Sequence, residues 1–379
     1  MMCVMMPVSP WLLNNISFKY LYLSVLALFG IGTLMIIFAP TFWFALLGRL
    51  LEATAVGILF PSFQTVLMTI TPKDKRGQTM GAAGLVMGSA LAVGPIISGI
   101  VLNFLRWQAL FWLFCFLMLV IFLAACVTIS DVMEQKPSQL DVFSLFYEGA
   151  GLGMVLYALT AFKDPAHLLS SVLLLLLGLG LLIAFCQRQL KLATPLLELR
   201  IVKYLAFDIG LLLTGLSYMS LIVVTIVFPL YYQKILGLSP LASGLSLVLP
   251  AVLLSVLNPI TGKLADKWGF KPVLLVGVSM LLSGWAGLLL WQDHLGLPLL
   301  IAFSMVIEGG NAFVMMPATT LGANSVPKNL IAHATALTTT IRQLLGSLGV
   351  MGATLLLSSA GQSITQKSSY SRVFICFLL

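Results

Sequence analysis

Long apolar runs alternate with short polar clusters along the whole of this chain. A helix needs about 20 mostly apolar residues to cross the hydrocarbon core of a bilayer. On that measure the pattern predicts eleven complete spanning helices, at roughly 21–39, 42–70, 79–103, 107–129, 142–162, 167–186, 208–232, 240–262, 272–291, 297–325 and 330–357. A shorter apolar stretch lies at each end, 1–13 and 372–379, too short to cross alone. The opening MMCVMMPVSPWLL lacks a basic start and a small-residue cleavage site. It therefore reads as the second half of a spanner, not as a signal peptide.

The polar clusters orient these helices. One alternating set holds Lys19, Lys73, Lys75, Arg76, Lys136, Arg188, Lys191, Arg200, Lys203, Lys263, Lys267, Lys271 and Lys328, against Arg106, Lys163, Lys234, Lys367 and Arg372 on the other side. The richer set is cytoplasmic by the positive-inside rule. The longest polar stretch between spanners, 187–207, is then cytoplasmic and parts two groups of helices. The expected organisation is an N-terminal bundle over 1–129, two extra spanners and a linker over 130–207, and a C-terminal bundle over 208–379. Each group has a Gly/Pro-broken helix and a basic cytoplasmic loop, the weak internal similarity of transporter repeats.

Composition sharpens the picture by exclusion. Of the 379 residues 60% are apolar and only 8% charged, with a mean hydropathy of +1.08. Soluble domains carry about 45–50% apolar and about 25% charged residues. A cytosolic enzyme, a disordered chain and a nucleic-acid-binding domain are excluded; this is an all-α polytopic membrane protein. The net charge of +8 reports topology first, and Lys73, Lys75 and Arg76 suit contact with anionic lipid. Five scattered cysteines read as small core hydrophobes, and three isolated histidines (His167, His294, His333) predict no metal site. No phosphate-binding GxxxxGK[ST] run occurs, so transport would draw on an ion gradient, with no cofactor and no enzymatic nucleophile–base set.

The candidate chemistry lies in ionisable residues that the pattern puts inside spanners. A charge at mid-bilayer costs on the order of 2.5–3.5 kcal/mol on insertion scales and normally faces the bundle interior. Arg49, Glu52, Glu308 and Arg342 are such positions, with Glu148 and Asp208 nearer segment ends. Arg49 and Glu52 are three apart and share a helix face. They form either an intrahelical ion pair that lowers insertion cost or a cavity-lining pair in which Glu52 exchanges a proton. Glu308, in IEGGNAF, reads as a proton or cation site, with a hydrated boundary acid as the alternative. For Arg342 a functional and a pairing role stand equal. Gly94-Pro95 predicts a kink, and with Gly84, Gly88 and Gly99 a bendable face for close packing.

Four passages carry a resemblance. LLGRLLEATAVG, ending at Gly57 and running on into ILFPS, is similar to motif B of the major facilitator superfamily, with Arg49 at the family arginine and Glu52 where glutamine is usual. GLVMGSALAVGPIISG (84–99) resembles the antiporter motif C, GKLADKWGFK (262–271) the motif A loop, and ALTTTIRQLLGSLG (336–349) the arginine-glutamine helix late in the family. With the two extra helices, the chain resembles the fourteen-spanner drug:proton antiporters of the EmrB/QacA and LmrB type. The first-half motif A reads SPWLLNNISFK (9–19), with asparagine near the expected aspartate. The family's first spanner, with its embedded aspartate, has no counterpart and the last is cut short, so a chain truncated at both ends is expected.

That resemblance implies a major facilitator fold in a bacterial cell membrane, exporting amphipathic drugs against protons by alternating access, in contact with lipid and acting as a monomer. Gly94, Pro95 and Gly99 would serve an outer gate. Gly262, Asp266 and Gly269 would form a cytoplasmic latch, with Asp266 a helix-terminal charge in the loop between Lys263 and Lys267. A nutrient symporter of the same fold, or a non-transporting remnant, are the alternatives.

Overall fold

The computed structural model of the protein describes residues 1–132, 135–161, 168–358 and 366–378. Lys163 and His167 lie outside the described residues, as do the side chains of Pro95 and Lys367. Among the described residues there are fifteen α-helices and no strands. They are α1 (Met2–Met5), α2 (Ser9–Asn15), α3 (Phe18–Ile37), α4 (Phe42–Ile70), α5 (Arg76–Phe104), α6 (Gln108–Thr128), α7 (Val142–Ala161) and α8 (Leu168–Lys191). After the linker come α9 (Leu205–Lys234), α10 (Pro240–Ser246), α11 (Val248–Trp268), α12 (Phe270–Leu290), α13 (Leu297–Asn324), α14 (Ile331–Ser358) and α15 (Gln366–Leu378). Among the described residues eleven spans are long and apolar enough to cross a membrane, α10 and α11 together making one of them.

Two boundaries differ from expectation. The run at 240–262 is broken at Leu247, which ends α10 and precedes α11. α10 starts in the usual way: the Ser239 hydroxyl accepts a bond from the Ala242 N–H at 3.3 Å, and Pro240 takes the first helical position. α11 then continues past the apolar run to Trp268, so Asp266 lies in its last turn and not in a loop. The stop comes from Gly269, whose φ of 87° only glycine adopts without strain.

The chain forms two compact units that do not follow chain order. The first comprises Met1–Ile70, Val101–Lys203 and Val326–Thr340; the second comprises Thr71–Ile100, Tyr204–Ser325 and Ile341–Leu379. In the first unit, Leu13, Leu21, Val25, Ala55 and Ile58 form an apolar cluster. Lipid is as apolar as leucine, so helices in a membrane associate through close backbone contact at small residues. Gly32 of α3 faces Gly48 of α4, and Gly151 of α7 faces Gly178 of α8; a Cβ on either member would press on the other's carbonyl.

In the second unit α13 packs against α9, α11 and α12. The same device recurs, with Gly277 of α12 against Gly310 of α13 and Gly77 of α5 against Gly262 of α11. Larger side chains fill the rest: Trp285 meets Phe228, Phe374 and Phe377, and its indole N–H donates to the Ser220 hydroxyl at 2.9 Å.

The paired glycines make a stability prediction. Gly277→Ala forces a methyl group against the Gly310 carbonyl and should cost about 1–3 kcal/mol, as overpacking does. Gly153→Ala, at a helical glycine whose added Cβ meets nothing, should leave stability unchanged or raise it by up to about 1 kcal/mol. Thermal unfolding in detergent reads both; equal midpoints would show that the glycine contact does not hold α12 to α13.

Candidate functional site

At the start of α5, Asp266 reaches across from α11. Its Oδ1 accepts from the Gly77 N–H at 2.9 Å and its Oδ2 from the Gln78 N–H at 2.8 Å. The first N–H groups of a helix have no partner within it and carry its positive end, so a carboxylate is well placed there. Gly77 is what lets the two helices come this near, since a Cβ there would strike both the Asp266 carboxylate and the Gly262 carbonyl. Gly262 and Gly269 thus sit either side of the contact, one at the crossing and one at the helix end.

Arg76, beside this contact, is by sequence one of three basic residues that would set topology. It is instead 2% exposed. Its Nε donates to the Thr71 carbonyl at 3.2 Å and its Nη1 to Asn324 Oδ1 at 2.7 Å, fastening the start of α5 to the end of α13. No local pattern separates it from Lys73 and Lys75, because its partner lies 248 residues away.

Further along α5, Gly81 and Gly84 lie over Asn258 and Gly88 over Ser255, giving a smooth face toward α11. That face lies nearer the helix start than expected. A Cβ on Gly94 would meet nothing, and one on Gly99 only Leu241. The helix runs unbroken through position 95.

The membrane-embedded acid with the most developed surroundings is Glu308 on α13, 5% exposed. The Asn311 side-chain amide donates to Glu308 Oε2 at 3.3 Å, and the Ser217 hydroxyl donates to Asn311 Oδ1 at 2.7 Å. Glu308 also borders a cavity of about 50 Å³, otherwise lined by Leu91, Val224, Thr225, Leu247, Pro250, Ala251 and Leu254. A space of that size holds a water molecule. Gly309 and Gly310 let α12 pack closely against this stretch, through Met280 and Leu281.

Arg342, on α14, is 2% exposed, and its guanidinium lies over the Tyr218 ring at 5.1 Å. The Tyr218 hydroxyl donates to Gln343 Oε1 at 3.3 Å, so one tyrosine of α9 engages both residues of the arginine-glutamine pair. Near the other end of the chain, Glu52 is 7% exposed and accepts from Arg49 at 2.9 Å and from the Thr33 hydroxyl at 2.9 Å. Arg49 departs from the expected interior position: its side chain is 59% exposed and stacks over Phe111. The pair is therefore a buried acid with its cation at the unit's surface.

The first unit also carries a cavity of about 830 Å³ bordered by Trp11, Lys136, Glu198, Lys328 and His333 among others. His333 Nδ1 accepts from the Glu198 N–H at 3.3 Å, and the Thr65 hydroxyl bonds that of Thr335. Among the described residues no group of histidine, cysteine or acidic side chains has the arrangement of a metal site.

Eleven apolar spans with isolated ionisable groups enclosed between helices define a multi-pass membrane transporter. The sequence profile described as Major Facilitator Superfamily matches residues 1–350, and the chain belongs to that family. It is 32% identical over 347 residues to the uncharacterized MFS-type transporter YcnB of Bacillus subtilis, covering 91% of this chain and 74% of that protein. It is likewise 32% identical over 335 residues to the lincomycin resistance protein LmrB of Listeria monocytogenes, covering 87% of this chain and 70% of the relative. In fold it is similar to the crystal structure of the human organic anion transporter MFSD10, with a TM-score of 0.69 at 14% identity over 100% of this chain and 80% of that one. With its spans and its bacterial relatives, the chain is a multi-pass protein of a bacterial cell membrane and not an enzyme.

Asp266→Asn keeps the size of the group at the start of α5 and removes its charge. Charge-assisted bonds are roughly twice as strong as neutral ones, and a helix end is worth about 0.3–1 kcal/mol to a charge. The substitution should lower the thermal midpoint in detergent by about 1–2 kcal/mol equivalent, whereas Asp74→Asn, at an exposed position, should not. No difference between the two variants would show that Asp266 does not hold α5 to α11.

Proposed function

We propose that this chain is a proton-coupled exporter of amphipathic drugs that works by alternating access. The observation that carries the reading is Glu308: a carboxyl enclosed mid-helix, bonded through Asn311 to Ser217 and bordering a small cavity walled by apolar side chains. Its setting lets one group serve two cargoes in turn. Burial favours the uncharged, protonated carboxyl, and a cation brought alongside favours the carboxylate. A drug with an apolar body and a positive centre therefore displaces the proton, and a proton displaces the drug. Exchange on one group is antiport.

Two further features support the reading. The similarity to LmrB, named for lincomycin resistance, favours drugs over nutrients as cargo. The Asp266 cap on α5 supplies a releasable cytoplasmic contact. Its two hydrogen bonds hold α5 to α11 and must part if those helix ends separate to open a cytoplasmic path. Tyr218, joining Arg342 and Gln343 to α9, provides a second polar tie within the same unit.

Glu308→Gln mimics the protonated carboxyl and cannot release a proton. Purified protein in lightly buffered detergent should acidify the medium when a lipophilic cation is added, and the variant should not, while its thermal midpoint stays within a few degrees of the parent. Glu52→Gln should retain most of the proton release, because Glu52 is held by an ion pair with Arg49 and a hydrogen bond from Thr33. Proton release surviving in Glu308→Gln and vanishing in Glu52→Gln would move the coupling site to α4.

A further inference from the structure

The two extra helices α7 and α8 form a hairpin with polar groups of its own. At its cytoplasmic mouth, Asp141 takes two bonds from Arg188, 2.6 Å from Nε and 2.9 Å from Nη2. The Ser144 hydroxyl donates to Asp141 Oδ2 at 2.6 Å, and the Gln189 amide reaches the Ser144 hydroxyl. The other end of the Gln189 amide accepts from the Leu197 N–H at 3.1 Å. One turn deeper on the same face of α7 comes Glu148, 3% exposed, whose Oε2 has no hydrogen-bond partner among the described residues. Positions 141, 144 and 148 follow the spacing that stacks side chains along one helix stripe.

Six residues into α7, Glu148 lies about 9 Å beyond the helix start at ~1.5 Å per residue. Among the described residues no ion pair joins Glu148 to a cation. α8 packs along α7 on one side, and α1 packs on it where Gly149 meets Val4. Arg188, the nearest guanidinium along the stripe, is committed to Asp141. Arg188, with help from Ser144, holds the Asp141 carboxyl below the usual carboxylate range, so Asp141 stays charged near neutral pH and is not itself the group that gains a proton. An uncompensated buried carboxylate is costly, and the free energy is lowered by taking up a proton.

We propose that the α7–α8 hairpin holds a proton-binding site, Glu148, that exchanges protons with the cytoplasm along the Asp141–Ser144–Gln189 stripe. The ligand is the proton itself, delivered from cytoplasmic water to the carboxylate and returned by the same route, with no other bond made or broken. Ser144 can relay, since its hydroxyl both donates and accepts. The site lies apart from Glu308, in the other compact unit, and stands whatever the exporter's cargo. Two helices that look like a spacer would thereby sense cytoplasmic pH.

Infrared difference spectra of the full chain in lipid nanodiscs test this. On titration between about pH 5 and 9, a protonated-carboxyl stretch distinct from the one that Glu308→Gln removes should appear and vanish in the parent, be lost in Glu148→Gln, and return at a shifted frequency in Glu148→Asp. After a pH jump the band should respond several-fold more slowly in Ser144→Ala, with its amplitude kept. Treatment with a hydrophobic carbodiimide at low pH should place an adduct on the peptide containing Glu148. Spectra of Glu148→Gln identical to the parent across the titration would overturn the site, as would a Glu148 band that does not respond to pH. An unchanged rate in Ser144→Ala would overturn the route.

Discussion

Close approach of helix backbones, where glycine faces glycine, is the constraint on which the rest of this structure rests. In lipid the burial of leucine gives helices little reason to associate, and contact must come from packing and polar ties. Gly32–Gly48, Gly151–Gly178, Gly277–Gly310 and Gly77–Gly262 supply that contact in four helix pairs. The functional groups depend on them. Asp266 reaches the amides of Gly77 and Gln78 only because Gly262 and Gly77 bring α11 and α5 together. Glu308 sits next to Gly309 and Gly310, where α13 lies close against α12.

A second constraint follows from the first. A tightly packed, dry interior leaves each buried polar group dependent on a specific partner. Glu52 has Arg49 and Thr33, Arg76 has Thr71 and Asn324, Trp285 has Ser220, and Arg342 lies over Tyr218. Glu308 and Glu148 differ: among the described residues Glu308 is bonded by the neutral Asn311 amide, and Glu148 Oε2 has no hydrogen-bond partner. Neutral surroundings make a carboxyl free to trade its proton, whereas a fixed cation would hold it charged. On the reading proposed above, Glu52 is then a structural carboxyl and Glu308 and Glu148 the exchangeable ones.

Much of the architecture was legible in the chain itself. Most long apolar runs became single helices because run length decides whether a segment can span lipid, and the run at 42–70 is reproduced residue for residue. Legibility failed where polar residues extend a helix past its apolar stretch. Asp266 and Arg76 look like loop charges because the sequence around them is polar, yet both are helical and held by partners 188 or more residues away. The exposed Arg49 was missed for the converse reason: an arginine within an apolar run says nothing about which side of the helix has a neighbour. The break at Leu247 carries only a weak signal, since Ser239-Pro240 announces the start of α10 while nothing marks its end. The Asp141–Arg188 pair spans two helices and is likewise invisible to helical spacing.

Export of a cation by exchange for protons is the central claim, and vesicles test it most directly. Reconstituted with the purified chain and loaded acidic inside, they should accumulate an amphipathic cation from the medium while their interior becomes more alkaline. Collapsing the pH difference with a proton/potassium exchanger should abolish both changes. Accumulation that persists without the pH difference, or a cation that moves in the same direction as the protons, would contradict the account.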